Sequence, residues 1–250
     1  MKTNILRYEE LGINAFPACL TEVYDGWILR YANGYTYRGN SVNPIYPSSM
    51  DKSHKIKRCE EKYFSKGLPC VFKMTEAVEE GLDQLLETMG YEIQKYSYIM
   101  SVDINKVSSE EVSIEKIITS EWLKQFVALN GTTKEPMKTT AKTVLKQIGN
   151  EILCASIYRA DRMIACALGV IEDKQVGIYD VRVHEDYRRQ GLATQICKGI
   201  MSGAYRNGVH HAYLQVASDN EVAIKLYKKL GFKKEYTYWY RVKGMEKVEN

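Results

Sequence analysis

This 250-residue chain has no apolar run long enough to cross a bilayer, and its opening residues, MKTNILRYEE, lack the apolar core of a secretory signal. A cytoplasmic protein with no membrane partner is expected. Its six cysteines, Cys19, Cys59, Cys70, Cys154, Cys166 and Cys197, include no C-x-x-C pair. The common zinc and dithiol patterns are therefore missing, and buried or half-buried thiols are expected in their place. Histidine is scarce, and the adjacent pair His210 and His211 has no further ligands at matched spacing, so no metal site is expected. Nor is there a block of like charge. The formal net charge is only +4, with the basic residues spread along the chain, which suits a small anionic ligand better than a nucleic-acid backbone. What remains is a globular composition, 45% apolar, on a chain long enough for two ordinary domains.

The most informative segment is Val181 to Thr194, VRVHEDYRRQGLAT. A strand-like run ends at Val183, a short polar turn follows, and an amphipathic helix begins near Gly191. A turn feeding a helix start presents unpaired amide hydrogens and the positive end of the helix dipole, both of which favour a phosphate. Glycine at 191 permits close approach of the backbone to an anion, and Ala193 keeps the next turn unobstructed.

The spacing Arg188-x-x-Gly191-x-Ala193 resembles the pyrophosphate loop of the GNAT acyltransferase superfamily. The resemblance extends over roughly residues 111 to 241. A strand at Ala212 to Val216 leads to Ser218-Asp219-Asn220 and then to a helix carrying Leu226-Tyr227-Lys228-Lys229-Leu230-Gly231-Phe232. It implies an N-acetyltransferase that moves the acetyl group of acetyl-CoA to a primary amine of a small or peptide acceptor. Implied cofactor contacts are Val181 and Val183 on the strand, Arg188, Arg189, Gln190, Gly191, Leu192, Ala193 and Thr194 in the loop, and Asn220 and Tyr227 beyond it. Asn220 is also a natural N-cap of its helix, and both readings stay open.

An ungapped shift of 141 residues places Gly67 and Gly90 on Gly208 and Gly231, Val42 on Val183, and Tyr46 on Tyr187. The helix stripe Ile56, Cys59, Tyr63, Phe64 falls on Cys197, Ile200, Ala204, Tyr205. Differences concentrate at the phosphate-loop positions, where Pro47, Met50, Asp51 and Lys52 stand for Arg188, Gly191, Leu192 and Ala193. Proline removes an amide donor, methionine restores a side chain where close approach is needed, and Asp51 brings negative charge. Leu86 stands for Tyr227, and Glu79 for Asn220. The chain therefore reads as tandem α/β (α+β) lobes of GNAT-like mixed sheets flanked by helices. Residues 1–105 form a degenerate N-terminal lobe, and 111–250 the catalytic one, with Val107 to Glu111 as a polar linker. Asp25-Gly26-Trp27, Asn33-Gly34 and Arg38-Gly39-Asn40-Ser41-Val42-Asn43-Pro44 look similar to patterns that precede some bacterial GNAT domains.

In the second lobe the periodicity predicts the order βααβββαβαβ. Its strands begin at Val112 to Ile117, its helices begin at Ser120 and Thr139, and an antiparallel pair spans 152–171. A central strand at 176–183 feeds the loop, a helix spans 191–207, and an aromatic closing strand lies at 232–241.

Acetyl transfer needs a neutral amine, a donor for the oxyanion, and a proton for the departing thiolate. With a reference pKa of ~10.4, neutralising a lysine-like amine at pH 7 costs roughly 4 to 5 kcal/mol. The resemblance implies a backbone N–H near Val183 for the oxyanion and Tyr227 for the leaving group. The position where histone-modifying relatives carry a glutamate is here Gly177. That leaves the base unassigned, with Asp180 as the candidate although alternation puts it on the opposite face from Tyr179. An acceptor is expected at the junction of the lobes, against Trp27, Tyr31, Tyr35, Tyr37 and the tyrosines at 236–240. Two alternatives remain open: a non-catalytic acyl-CoA sensor, or an acyl or aminoacyl transferase with a bulkier donor. The oligomeric state is not encoded visibly.

Overall fold

The computed structural model describes residues 2–105, 112–132 and 134–245. The expected linker, Val107 to Glu111, lies outside the described residues. The elements are α1 (Lys2–Ala15), β1 (Leu20–Tyr24), β2 (Trp27–Tyr31), β3 (Val42–Pro44), α2 (Lys52–Phe64), β4 (Cys70–Thr75), α3 (Leu82–Thr88) and β5 (Glu92–Asp103). There follow β6 (Ser113–Glu115), α4 (Ser120–Leu129), α5 (Glu135–Lys146), β7 (Glu151–Arg159), β8 (Arg162–Glu172), β9 (Gln175–Val183), α6 (Leu192–Arg206), β10 (His211–Ala217), α7 (Glu221–Lys229) and β11 (Lys233–Lys243). The predicted βααβββαβαβ order is observed from β6 onward. Boundaries move for local reasons. Helix α5 starts a turn earlier than expected because Pro136 fits its first turn, and α4 is capped by Thr119 accepting from the Trp122 amide rather than by Ser120.

The strands form one eleven-stranded mixed sheet, ordered β1-β2-β3-β4-β11-β5-β10-β9-β8-β7-β6, where two separate sheets were expected. The closing strand causes the difference. β11 pairs antiparallel with β4 and with β5, while β10 pairs with β5, so the last strand of the chain lies between two strands of the first half. Alternating residues feed two helical layers. Tyr179, Tyr213 and Tyr236 face a core built with α1, α4 and α5. Ile178 and Leu214 face α6 and α7, and Phe72 and Met74 face α2 and α3. Helix α6 buries Leu192, Ile196, Ile200 and Ala204, the stripe its periodicity predicts, and Met201 beside them. Truncating one such side chain, Ile200→Ala for example, would cost about 2 to 5 kcal/mol. Of the cysteines, Cys19 is half-buried and the other five are buried. Among the described residues no group of side chains could hold a metal ion, and no helix is long and apolar enough to cross a membrane.

Candidate active site

The site grows out of a fork in the sheet. β9 and β10 pair in parallel from Gln175 and His211 as far as Ile178 and Leu214, after which β10 continues against β5 alone to Ala217. On its other edge β9 carries a bulge: Tyr179 lies opposite Leu168 and Arg182 opposite Cys166, leaving Asp180 and Val181 against a single residue. Asp180 takes φ 51°, an uncommon left-handed conformation for a residue with a side chain. The bulge breaks the alternation on which the faces of Tyr179 and Asp180 were assigned. Both now line one chamber, Tyr179 buried and Asp180 half-buried.

Beyond the fork, Arg189 (φ 65°) and Gly191 (φ 82°) turn the chain into α6, which starts without a side-chain cap. The first helical bond to this turn is from the Gln195 amide to the Gly191 carbonyl, so the amide hydrogens just before it open the helix unpaired by the helix itself. They border a cleft of about 500 Å³ lined by Val181, Val183, Arg188, Arg189, Gly191, Leu192, Ala193, Asn220 and Tyr227. Gln190 and Thr194 do not line it. Arg182, Tyr187, Val222, Ala223 and Leu226 do, and sequence reasoning missed them. Three of those five, Val222, Ala223 and Leu226, share helix α7 with Tyr227, but only Ala223, four residues before it, was signalled by helical spacing.

Asn220 caps α7 through its side-chain oxygen, which accepts from the Ala223 amide at 3.1 Å, while the residue still lines the cleft. The N-cap reading is therefore observed, and the same residue stands on the wall of the cleft. Tyr227 is 8% exposed and stands where this cleft meets a second. Burial pushes its phenol well above the ordinary tyrosine range, with the Cys197 thiol adding to the shift and the Arg182 cation opposing it. At Gly177 a Cβ would lie 2.5 Å from the Tyr179 ring and 2.7 Å from the Tyr213 hydroxyl. Those two phenols bond each other at 2.8 Å, so the space that a side chain at position 177 would need is filled by rings.

The second chamber, about 450 Å³, lies on the far side of Tyr227. Arg38, Lys95, Asp180, Arg182, Gln215 and Tyr238 are among its walls. It continues into a third space of about 400 Å³ that Arg38, Lys95 and Tyr238 also border, together with Tyr37, Tyr96 and Asp219. Of the aromatics expected at the junction, Tyr37, Tyr238 and Tyr240 border these spaces. Trp27 and Tyr31 do not: they are buried, Trp27 packing edge-on against Phe72.

The stretch related to the phosphate loop by the 141-residue shift has a different occupant. There the Asp25 carboxylate accepts from the Ser49 and Met50 amides at 3.0 and 2.9 Å and from the hydroxyls of Ser48 and Ser49, both at 2.8 Å. The buried Lys55 ammonium lies 3.0 Å from it and 3.9 Å from the centre of the Trp27 ring. These bonds, the Met50 amide foremost, hold the Asp25 carboxyl far below the usual carboxylate range. Gly26 (φ 81°) has no room for a side chain, since a Cβ would sit 2.1 Å from the Pro47 carbonyl oxygen. The Asp-Gly-Trp motif is thereby explained as a carboxylate, a close approach and a ring beneath a buried cation.

A forked mixed sheet with a glycine-started helix at the mouth of the fork defines an N-acetyltransferase of the GNAT superfamily. Within that class, a family model described as "Probable histone acetyltransferase Rv0428c C-terminal" matches residues 3–241, and the chain belongs to that family. It is 28% identical over 250 residues to the uncharacterized N-acetyltransferase YobR of Bacillus subtilis (strain 168), covering 96% of this chain and 99% of that one. Its fold is shared with a GCN5-related N-acetyltransferase from Kribbella flavida, at a TM-score of 0.70 and 14% identity over 99% of this chain and 97% of that one. It is also shared with a tandem GNAT protein from the clavulanic acid biosynthesis pathway, at a TM-score of 0.63 and 12% identity over 94% and 86% of the two chains.

Proposed function

We propose that the protein, acting in the cytoplasm, transfers the acetyl group of acetyl-CoA to a primary amine of a small acceptor by direct attack. The observation that carries this reading is the uncapped start of α6 at Gly191, open to a cleft that runs on into the fork. The amides of Arg189 to Thr194, with the Arg188 and Arg189 guanidinium groups, suit a pyrophosphate. Val181 and Val183 offer the main-chain edge that β9 loses as a ladder partner of β10, and the Asn220 side chain borders the same path.

Acetyl-CoA supplies the activated thioester; the chain supplies position and protons. Main-chain N–H groups at the fork are preorganised donors for charge on the carbonyl oxygen. The Tyr227 hydroxyl, kept protonated by burial, donates toward the departing sulfur. Asp180 is the carboxylate among the residues bordering the second chamber, where it can hold an ammonium and take part in removing its proton. Asp25 and its partners support a first lobe, residues 1 to about 105, that takes no donor, because an internal anion holds the amides a pyrophosphate would need.

Calorimetric titration with acetyl-CoA tests the proposal. One equivalent bound per chain is expected, with binding lost in Gly191→Glu, which puts a negative side chain at φ 82° where an anion must approach. Two equivalents, or undiminished binding by the variant, would remove its basis.

A further inference from the structure

Two β-bulges of different strands aim at the same chamber. One is the β9 bulge at Asp180. The other is in β5, where Ser97 pairs with Tyr238 and Gln94 with Tyr240, leaving Lys95 and Tyr96 opposite Trp239 alone. Lys95 there takes φ 52°, so both bulges hold a side-chain-bearing residue in the left-handed region. Such conformations cost of order 1 to 3 kcal/mol each and persist where the surrounding structure over-determines them, often at ligand sites.

The bulges bring Asp180 and Lys95 to the chamber, and Arg38 and Arg182 add two further cations. The chamber's charged wall residues are Arg38, Lys95, Arg182 and Asp180, three cations and one anion. Arg38 lies 3.4 Å from Asp180, its guanidinium also stacked 4.5 Å from the centre of the Phe16 ring. Arg182 is anchored by Asn130, whose side-chain oxygen accepts from its Nε at 2.9 Å, and Lys95 sits 4.4 Å from the centre of the Tyr37 ring. Among the described residues, neither Lys95 nor Arg182 has a carboxylate within salt-bridge distance. Asp219, the one acidic residue bordering the outer space, is exposed on its rim. Two cations therefore face a small polar chamber uncompensated. Arg38 and Lys95 come from the first half of the chain, and Asp180 and Arg182 from the second.

We infer that the acceptor is a small primary amine that also bears an anionic group, a carboxylate or a phosphate monoester, with Asp180 facing its ammonium and Lys95, Arg38 and Arg182 its anion. This rests on the acetyltransferase reading above. In the reaction the amine nitrogen forms a bond to the acyl carbon and the carbon–sulfur bond breaks. The ammonium loses two protons: the thiolate takes up one to leave as the thiol, and the other passes to solvent. A chamber of about 450 Å³ suits a metabolite-sized acceptor.

The test measures thiol release from acetyl-CoA with matched pairs: β-alanine against β-alaninamide, O-phosphoethanolamine against ethanolamine, with putrescine and an acidic hexapeptide as further arms. Acetyl-CoA binding is measured separately by calorimetry. The acidic member of at least one pair is expected to exceed its neutral partner in kcat/KM by roughly tenfold to a hundredfold, the range of one charge-assisted contact. The two pairs distinguish a carboxylate from a phosphate. Lys95→Gln, an exposed position, is expected to raise the KM for the acidic acceptor by about tenfold while acetyl-CoA affinity holds, and Lys95→Glu to erase the preference. Equal or better turnover of the neutral amines, putrescine or the hexapeptide, no turnover of either acidic amine, or an acceptor KM indifferent to Lys95→Glu would overturn the inference while acetyl-CoA still binds. Failure of acetyl-CoA to bind would overturn the acetyltransferase reading itself, and this inference with it.

Discussion

Tyr227 joins the two halves of the proposed chemistry, bordering the loop cleft on one side and the acceptor chamber on the other. A phenol is a weak acid toward a thiol, so its contribution is a hydrogen bond to sulfur as charge develops. Tyr227→Phe is expected to lower kcat by on the order of tenfold to a thousandfold with little change in KM for acetyl-CoA. Because burial raises its pKa, the protonated donor persists as pH rises, and the loss should be the same factor from about pH 6 to about pH 9. Initial-rate kinetics across that range check it; unchanged turnover would reduce Tyr227 to packing. Residues of the loop were legible because their chemistry is local: a glycine, two arginines and a helix start within a few positions. Lys95 was not, since a lone surface cation carries no mark of the chamber it borders until the sheet brings distant strands together, and Arg38 was visible only as part of a motif that did not name its partner Asp180. Asp180 was misplaced by alternation, a rule that a single extra residue in β9 suspends.

At the scale of elements, the two related loops show how one backbone motif is opened or closed. Around Gly191 the amides face a cleft; around Met50 they face Asp25. The sequence differences at Pro47, Met50 and Asp51 pointed to a loop unsuited to a phosphate, but the group that occupies it lies over twenty residues upstream, in a motif with no visible tie to it. Asp25→Asn is expected to lower Tm at pH 7. The sign follows from linkage: a carboxyl whose folded pKa is depressed stabilises above its unfolded pKa, and that stability is lost as pH falls. The difference in Tm between wild type and variant should therefore narrow below about pH 4. Thermal melts over that range check it, and a pH-independent difference would mean that the carboxylate's charge is not what holds the loop. Element order in the second half was readable from periodicity and turn residues alone, whereas the short β6 and the early start of α5 depended on end effects that periodicity does not record.

Over the whole molecule, the exchange of β11 and β5 is the feature that local patterns could not announce. Both strands look alike in sequence, aromatic and alternating, so nothing in either says which neighbour it will choose. With β11 seated between β4 and β5, neither half of the chain completes its sheet alone. Residues 112–250 expressed separately are expected to lack cooperative thermal unfolding and dispersed amide signals, and to regain both when co-expressed with residues 1–105. A folded, soluble 112–250 fragment would contradict this. The exchange also explains how Arg38 and Lys95 reach a chamber whose loop is built wholly from the second half.

That arrangement sets an order of events during synthesis. The slot between β4 and β5 is translated well before its occupant, with Tyr238 pairing to Thr75 across more than half of this sequence. Until then two strand edges stand open, the condition under which nascent chains associate with one another or recruit chaperones. Closure of the sheet, and with it the joining of the two halves, must wait until β11 has been made and has emerged.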